Sequence, residues 1–194
     1  MDVVIATFGS LDWAALARNH AGASVSAVGG RPIYSHGRTL AEARNAGLDD
    51  VTTEHVVFLD ADDELEHGYI EAMKGGTADL RAPQVRYVTP TTAQAPYFPR
   101  VAGHQHDCTG ECLPDGNWLV IGTAVRTDLA RAVRFREEPI YEDWSFFLRC
   151  WTRGCTVERI PGAVYRAHAR PDSRNRAPSM AFKNEWHHKI VAAA

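Results

Sequence analysis

Lysine is nearly missing from this sequence: Lys74, Lys183 and Lys189 are the only three in 194 residues. A polybasic patch for an anionic membrane surface is therefore not expected, although arginine is plentiful. Neither sign of charge is in much excess. With a net charge of −3 and a pI near 6.3, the polyanion-binding signature is missing and nucleic acid is not expected as a partner. No apolar run approaches the roughly 20 residues of a membrane span. No basic leader with a long apolar core opens the sequence, so no secretory signal is read and a cytoplasmic location is expected. Internal repeats and low-complexity segments are missing too. There are only four cysteines. They do not establish an oxidising compartment, and free thiols are the default in a cytosolic protein. Cys150 reads as a small core residue.

What is present fits a globular chain: 45% hydrophobic and 23% charged residues. This length allows one domain, or one domain with a small appendage. The most informative run is Val56-Val57-Phe58-Leu59-Asp60-Ala61-Asp62-Asp63. Four apolar residues followed by carboxylates read as a buried strand delivering acids to its exposed end. Asp60 and Asp62 share one side of an extended chain, because side chains alternate with period two. Paired carboxylates at a strand tip suit a hard divalent cation, Mg²⁺ or Mn²⁺, which in turn suits a phosphate. An acidic turn after a core strand is the plainer reading of the same residues.

The pattern predicts strands over Val3–Phe8, Ser24–Val28 and His55–Leu59. Helices are predicted over Leu11–His20, Thr39–Leu48 and Glu66–Met73, with Gly29-Gly30-Arg31-Pro32 as a break. Such alternation argues for an α/β layer fold with a parallel sheet covered by helices. Ligands in such sheets bind beyond the carboxyl ends of strands. Thr7-Phe8-Gly9 and Asp60-Ala61-Asp62 both lie there. The second half predicts strands over Leu80–Thr89, Tyr97–Val101, Trp118–Val125, Thr156–Ile160 and Val164–Ala167. It also predicts a helix over Glu142–Arg153, whose Trp144, Phe147, Leu148 and Trp151 form a buried stripe. A last helix starts at Pro178-Ser179, with Phe182, Trp186 and Ile190 recurring every four residues.

Three segments in this order resemble family 2 glycosyltransferases. The first is Leu40-Ala41-Glu42-Ala43-Arg44-Asn45-Ala46-Gly47 followed by the acidic strand, similar to that family's DxD motif. The second is Tyr141-Glu142-Asp143-Trp144 leading into Phe147-Leu148-Arg149, similar to its ED motif. The third is Val164-Tyr165-Arg166-Ala167-His168 with Ser173 and Arg174 after it. The resemblance implies an A-type glycosyltransferase fold: a single Rossmann-like domain with a mostly parallel central sheet flanked by helices. Residues 1–176 would be catalytic, with 1–90 the nucleotide-sugar-binding half and 91–176 the acceptor and base-bearing half. A C-terminal helix would follow over 177–194. It also implies a metal-dependent inverting hexosyl- or N-acetylhexosaminyltransferase acting by single displacement. The donor would be a nucleotide sugar, a UDP-sugar ahead of a GDP-sugar. The acceptor would be a glycan, a protein or another hydroxyl compound.

Carried onto this sequence, the resemblance makes Asp143 the base, with Glu142 beside it. Asp62, His168 and Asp60 would hold Mn²⁺ or Mg²⁺. Thr7, Phe8, Gly9, Arg44, Asn45, Asp60, Ala61, Asp62 and Arg174 would line the donor site. Plainer readings stand beside these: an acid at a helix start is favoured by the dipole alone, and Arg44 and Asn45 also suit a solvated helix face. Arg166, Arg170, Arg174 and Arg176 would suit a diphosphate or an ordinary loop. The sequence departs from the family in having no acid in Ala27-Val28-Gly29-Gly30-Arg31, after the expected second strand, where one would read the nucleobase. The short chain also argues against a processive polysaccharide synthase. A haloacid-dehalogenase-type phosphohydrolase would use Asp60 as nucleophile, but that motif normally opens a chain and Glu64 departs from it. A non-catalytic nucleotide-sugar-binding module of the same fold is the third reading.

One cluster is left over. His104, His106, Cys108 and Cys112 offer four zinc ligands within nine positions, yet their spacing matches no common finger. A loop shaping the acceptor pocket, without zinc, is the expectation. Trp118 and Trp144 suit either a sugar platform or plain core. A homo-oligomer through the last helix is left open.

Overall fold

The computed structural model describes residues 1–169 and 179–194. The expectations placed on Arg170, Ser173, Arg174, Arg176 and the helix start at Pro178 lie outside the described residues.

Strand β1, Asp2–Phe8, is buried over its first six residues because it has a neighbour on each side and helices against it. It pairs in parallel with β2, Arg31–Gly37, and with β3, His55–Leu59. Next to β3 lies the short antiparallel β6, Ala124–Arg126, and then β5, Leu80–Val88. Beyond β5 come the parallel β7, Val157–His168, and the two-residue β4, Glu64–Leu65. The sheet order is β2-β1-β3-β6-β5-β7-β4. This is the expected α/β class, with a mixed half that brings β4, directly after the acidic run, against the end of β7.

The helices are α1, Asp12–Leu16; α2, Gly22–Ala27; α3, Leu40–Asp49; α4, Tyr69–Gly75; α5, Thr127–Val133; α6, Glu142–Trp151; and α7, Met180–Ala193. A π-helical turn, Ala17–Ala21, joins α1 to α2 in one continuous run. Ser24–Ala27 is therefore helix, with Val28 capping its end, and not the expected second strand over Ser24–Val28. Ala17, Ala21 and Val25 explain why: spaced by four, they are all buried, a helical stripe that the local Ser-Val-Ser alternation disguises. The true second strand starts at Arg31-Pro32. Proline is tolerated there because β2 is an edge strand.

Other expectations change for local reasons. Tyr97 makes only an isolated bridge to Val85, so Tyr97–Val101 is not a strand. Trp118–Val125 shrinks to β6, because Thr123 N–H donates to Val120 O at 2.8 Å and turns the chain. The helix α5 was not foreseen. The two late strands are one, β7, which passes Gly162 at φ +86° opposite a register shift between Ala82 and Gln84. In α7 Ser179 caps the first turn by accepting from Phe182 N–H at 3.3 Å, but of the expected stripe only Ile190 is buried.

The helix before the acidic strand is specified closely. Thr39 caps α3 by accepting from Glu42 N–H at 3.2 Å, and the Glu42 carboxylate accepts from Arg38 N–H at 3.2 Å. At Gly47 the helix comes down on the sheet, where an added Cβ would lie 2.5 Å from Val4 Cγ1 and 2.8 Å from Ser35 Oγ. Alanine there would gain about 1 kcal/mol of helix propensity but force overpacking of about 1–3 kcal/mol. Gly47→Ala is expected to lower the unfolding free energy in urea, the reverse of what propensity alone gives.

Candidate active site

The acidic end of β3 faces the start of α6, and Arg44 joins them. Arg44 projects from α3, and its side chain is 3% exposed. Its guanidinium donates to Asp60 at 3.0 Å and to Glu142 at 3.3 Å, and lies 5.0 Å from the Phe135 ring centroid. Burial works against its charge, yet Asp60, Glu142 and Asp143 around it raise its pKa above the ordinary value. Arg44, Asp60, Glu142 and Asp143 thus stand in one charged group.

Asp143 is the partly buried acid at the head of α6. Its carboxylate accepts from Asn117 Nδ2 at 3.1 Å and from Trp144 N–H at 2.8 Å. Burial, and next the Glu142 charge, push its pKa up to about 6. Tyr141 just before it is held at φ +60°, a left-handed conformation that a non-glycine residue adopts only under local constraint. That turn starts α6 abruptly and leaves both acids in its first turn. Asn117 escaped the sequence reading, since nothing local marks a loop asparagine as a partner of an acid 26 residues on.

Asp63 also escaped it. It is buried, and it accepts from the Tyr165 hydroxyl and, at 2.7 Å, from His168 N–H. Burial, then the Asp60 charge, push its pKa up to about 8. Asp63 thereby fixes the end of β7 against the acidic turn. His168 is placed beside that turn, but its ring turns to Glu64 at 3.0 Å and sits edge-on to His20, centroids 5.0 Å apart. Among the described residues, His168 forms a three-ligand group with His20 and Glu64 and not with Asp60 and Asp62. Arg166 also reaches Glu64, at 3.2 Å.

The other expected donor residues divide. Thr7 ends β1 with its hydroxyl 3.0 Å from His36 Nδ1, Phe8 follows, and Gly9 turns the chain at φ +73°. Ala61 is buried beneath the acidic turn. Asn45 is occupied elsewhere: its amide clasps the Phe135 backbone, donating to O and accepting from N–H, each at 2.9 Å. Trp118 and Trp144 are both buried, so they are core and not platforms. The place where a nucleobase-reading acid was sought also moves. The residues that follow the true β2 are Arg38-Thr39, again without an acid before Glu42.

Residues 25–95 match the family described as glycosyl transferase family 2. No curated protein matches the chain. Among solved structures it resembles S. aureus TarS 1–349 in complex with UDP-GlcNAc, with TM-score 0.61 and 13% identity over 100% of this chain and 66% of that one. TarS 1–349 in complex with UDP gives 0.56 and 14% over 99% and 64%, and S. aureus TarS gives 0.58 and 14% over 99% and 39%. This chain thus spans less than two thirds of the length of those structures. The likeness identifies the fold as the A-type glycosyltransferase fold. No described helix is long and apolar enough to cross a membrane.

The Asp63–Tyr165 contact can be tested by stability. Asp63→Ala leaves a buried hydroxyl and a backbone N–H without their acceptor, at a cost of about 1–3 kcal/mol. Tyr165→Phe removes one hydrogen bond, about 0.5–1.5 kcal/mol. Both are expected to lower the urea midpoint, Asp63→Ala the more.

Proposed function

We propose that the protein is an inverting glycosyltransferase, moving a hexosyl or N-acetylhexosaminyl group from a nucleotide sugar to an acceptor hydroxyl in a single displacement. One observation carries this reading: Arg44 draws the acidic strand end and the Glu142-Asp143 pair into one site, within a chain whose residues 25–95 match the family 2 model. Residues 1–90 would hold the donor and 91–176 the acceptor and base, with the last helix packed on α6 through His187 and Trp144. A UDP-sugar is the favoured donor, because neighbours of the same fold were crystallised with UDP-GlcNAc and with UDP.

In this reading the acceptor oxygen attacks the anomeric carbon while Asp143 takes its proton. The bond to the leaving phosphate oxygen breaks, and its electron pair leaves with the nucleoside diphosphate. Attack opposite the leaving group inverts the centre without a covalent intermediate. An acid held near 6 is ionised at neutral pH yet basic enough to accept a proton in the transition state. Arg44 keeps its neighbours charged, and Asn117 orients the base.

The acidic strand end fits a divalent cation. The charges of Asp60 and Asp62 already act on Asp63, and an oxygen donor set suits Mg²⁺ or Mn²⁺. Asp62 would hold the ion, with Asp60 shared between it and Arg44. Bound there, the ion would offset the charge that develops on the diphosphate. The phosphohydrolase reading gives way, because residues 25–95 match the glycosyl transferase family 2 model and Asp60, its nucleophile, is paired with Arg44 at 3.0 Å. The cytoplasmic location, and a glycan, protein or other hydroxyl acceptor, belong to this proposal as well.

Nucleoside diphosphate release across a panel of nucleotide sugars with Mn²⁺ or Mg²⁺ tests the activity. Release from none, with the nucleotides still bound, would make the chain a binding module. Asp143→Asn is expected to lower turnover by about 10²–10⁴-fold and to leave UDP affinity unchanged; near-normal turnover would remove Asp143 as base. The wild-type kcat/KM should fall as the pH drops through about 6, where Asp143 takes up its proton, and this limb should be absent in the variant. Asp62→Ala is expected to abolish metal-dependent UDP binding in calorimetry.

A further inference from the structure

The loop that the proposed reaction leaves unused brings its cysteines and histidines together in pairs. His104 Nδ1 lies 3.7 Å from Cys108 Sγ, and His106 Nε2 lies 3.5 Å from Cys112 Sγ. The ligand atoms of His104, Cys108 and Cys112 all fall within 4.8 Å of one another. The two imidazoles stack with centroids 4.9 Å apart. Bonds of about 2.0–2.3 Å to a tetrahedral zinc separate its ligand atoms by about 3.3–3.8 Å. These two sulfur–nitrogen separations already match, and the exposed His106, outside the group of three, would close in beside Cys112 as the fourth ligand.

We infer that His104, His106, Cys108 and Cys112 form a structural zinc site, distinct from the divalent-cation site at the acidic strand end. This reverses the expectation drawn from spacing alone. Two thiolates and two neutral imidazoles would make the bound Zn²⁺ electrically neutral, which suits the burial of both cysteines. The surroundings supply what such ligands need. Asp115 Oδ2 lies 3.6 Å from His104 Nε2, the ring nitrogen other than the one facing the sulfur, and would close to a hydrogen bond that orients the imidazole once it ligates. Val101 N–H donates to Cys108 Sγ at 3.3 Å. All four cysteines are free, so no disulfide competes for the two sulfurs.

The site has structural work to do. Apart from one 3-10 turn, Gly110–Cys112, residues 101–117 have no regular structure, yet Cys108, Cys112 and Leu113 are buried. The same loop ends at Asn117, whose amide donates to Asp143. Zinc would set the loop and, through it, the orientation of Asn117.

The test is metal content, which does not depend on what the protein catalyses. Protein made with zinc in the medium and desalted under reducing conditions should carry about one zinc per chain by mass spectrometry. The double variant Cys108→Ser/Cys112→Ser should carry almost none, while Cys155→Ser and His168→Gln keep it. A strong zinc chelator should lower the thermal midpoint of the wild type. Should the double variant fail to fold, wild type reconstituted with Co²⁺ should show thiolate-to-cobalt charge transfer and tetrahedral d–d bands. The inference is overturned if wild type takes up no zinc even on reconstitution, if the double variant binds as much, or if thiol titration of the unfolded protein finds Cys108 and Cys112 joined.

Discussion

A single buried guanidinium ties the acidic strand end to the start of α6. Arg44 belongs to the helix before the acidic strand, and Glu142 to the helix 98 residues further on. An unpaired buried charge is among the costliest things a fold can contain, and losing one partner of such a group costs about 3–5 kcal/mol. The sheet, α3 and α6 must therefore keep a relation in which Asp60 and Glu142 both reach Arg44. The site is placed by electrostatic necessity as well as by packing. An arginine suits this task better than a lysine, since its fork serves two carboxylates at once and does not lose its proton.

Around that centre the acids are differentiated by surroundings. Asp60 is partly open and paired with a cation. Asp143 is partly buried beside a like charge and is held near 6. Asp63 is buried deeper, held near 8, and spends its oxygens on Tyr165 and His168. Carboxyl groups of one chemical type thus serve as counter-ion, proposed base and brace. A cation at Asp62, as proposed, would complete the set by bringing a positive charge to the place where the diphosphate would leave.

Much of this was legible in the sequence, and the exceptions share a cause. β1, β3, α3 and α6 announced themselves because each buries a face with its proper period, and the acidic strand end and Asp143 could be picked out with them. Ser24–Val28 was misread because five residues of alternation fit a strand as well as a helix; only the stripe from Ala17 through Val25 tells them apart. Asn45 matched a motif, but its amide is spent on the Phe135 backbone, a contact 90 residues away in sequence. Asp63 and Asn117 were passed over for the same reason, since their partners lie 102 and 26 residues off. The histidine–cysteine loop shows the limit from the other side. All four residues were noticed, but spacing could not reveal that each sulfur faces a nitrogen.

Tyr165 has a consequence reaching beyond its own strand. Its ring fills the space that Gly122 leaves by having no side chain; a Cβ there would lie 2.2 Å from Tyr165 Cδ2. Its hydroxyl holds Asp63. Tyr69 meanwhile hydrogen-bonds the Gly122 carbonyl from the other side. Four positions scattered along the chain are thus interlocked, and none can drift alone. A larger residue at 122 would displace the ring and so release the acid at the strand end. The lineage of such a protein is free to rewrite its surface, but it must alter these four together or leave them as they are.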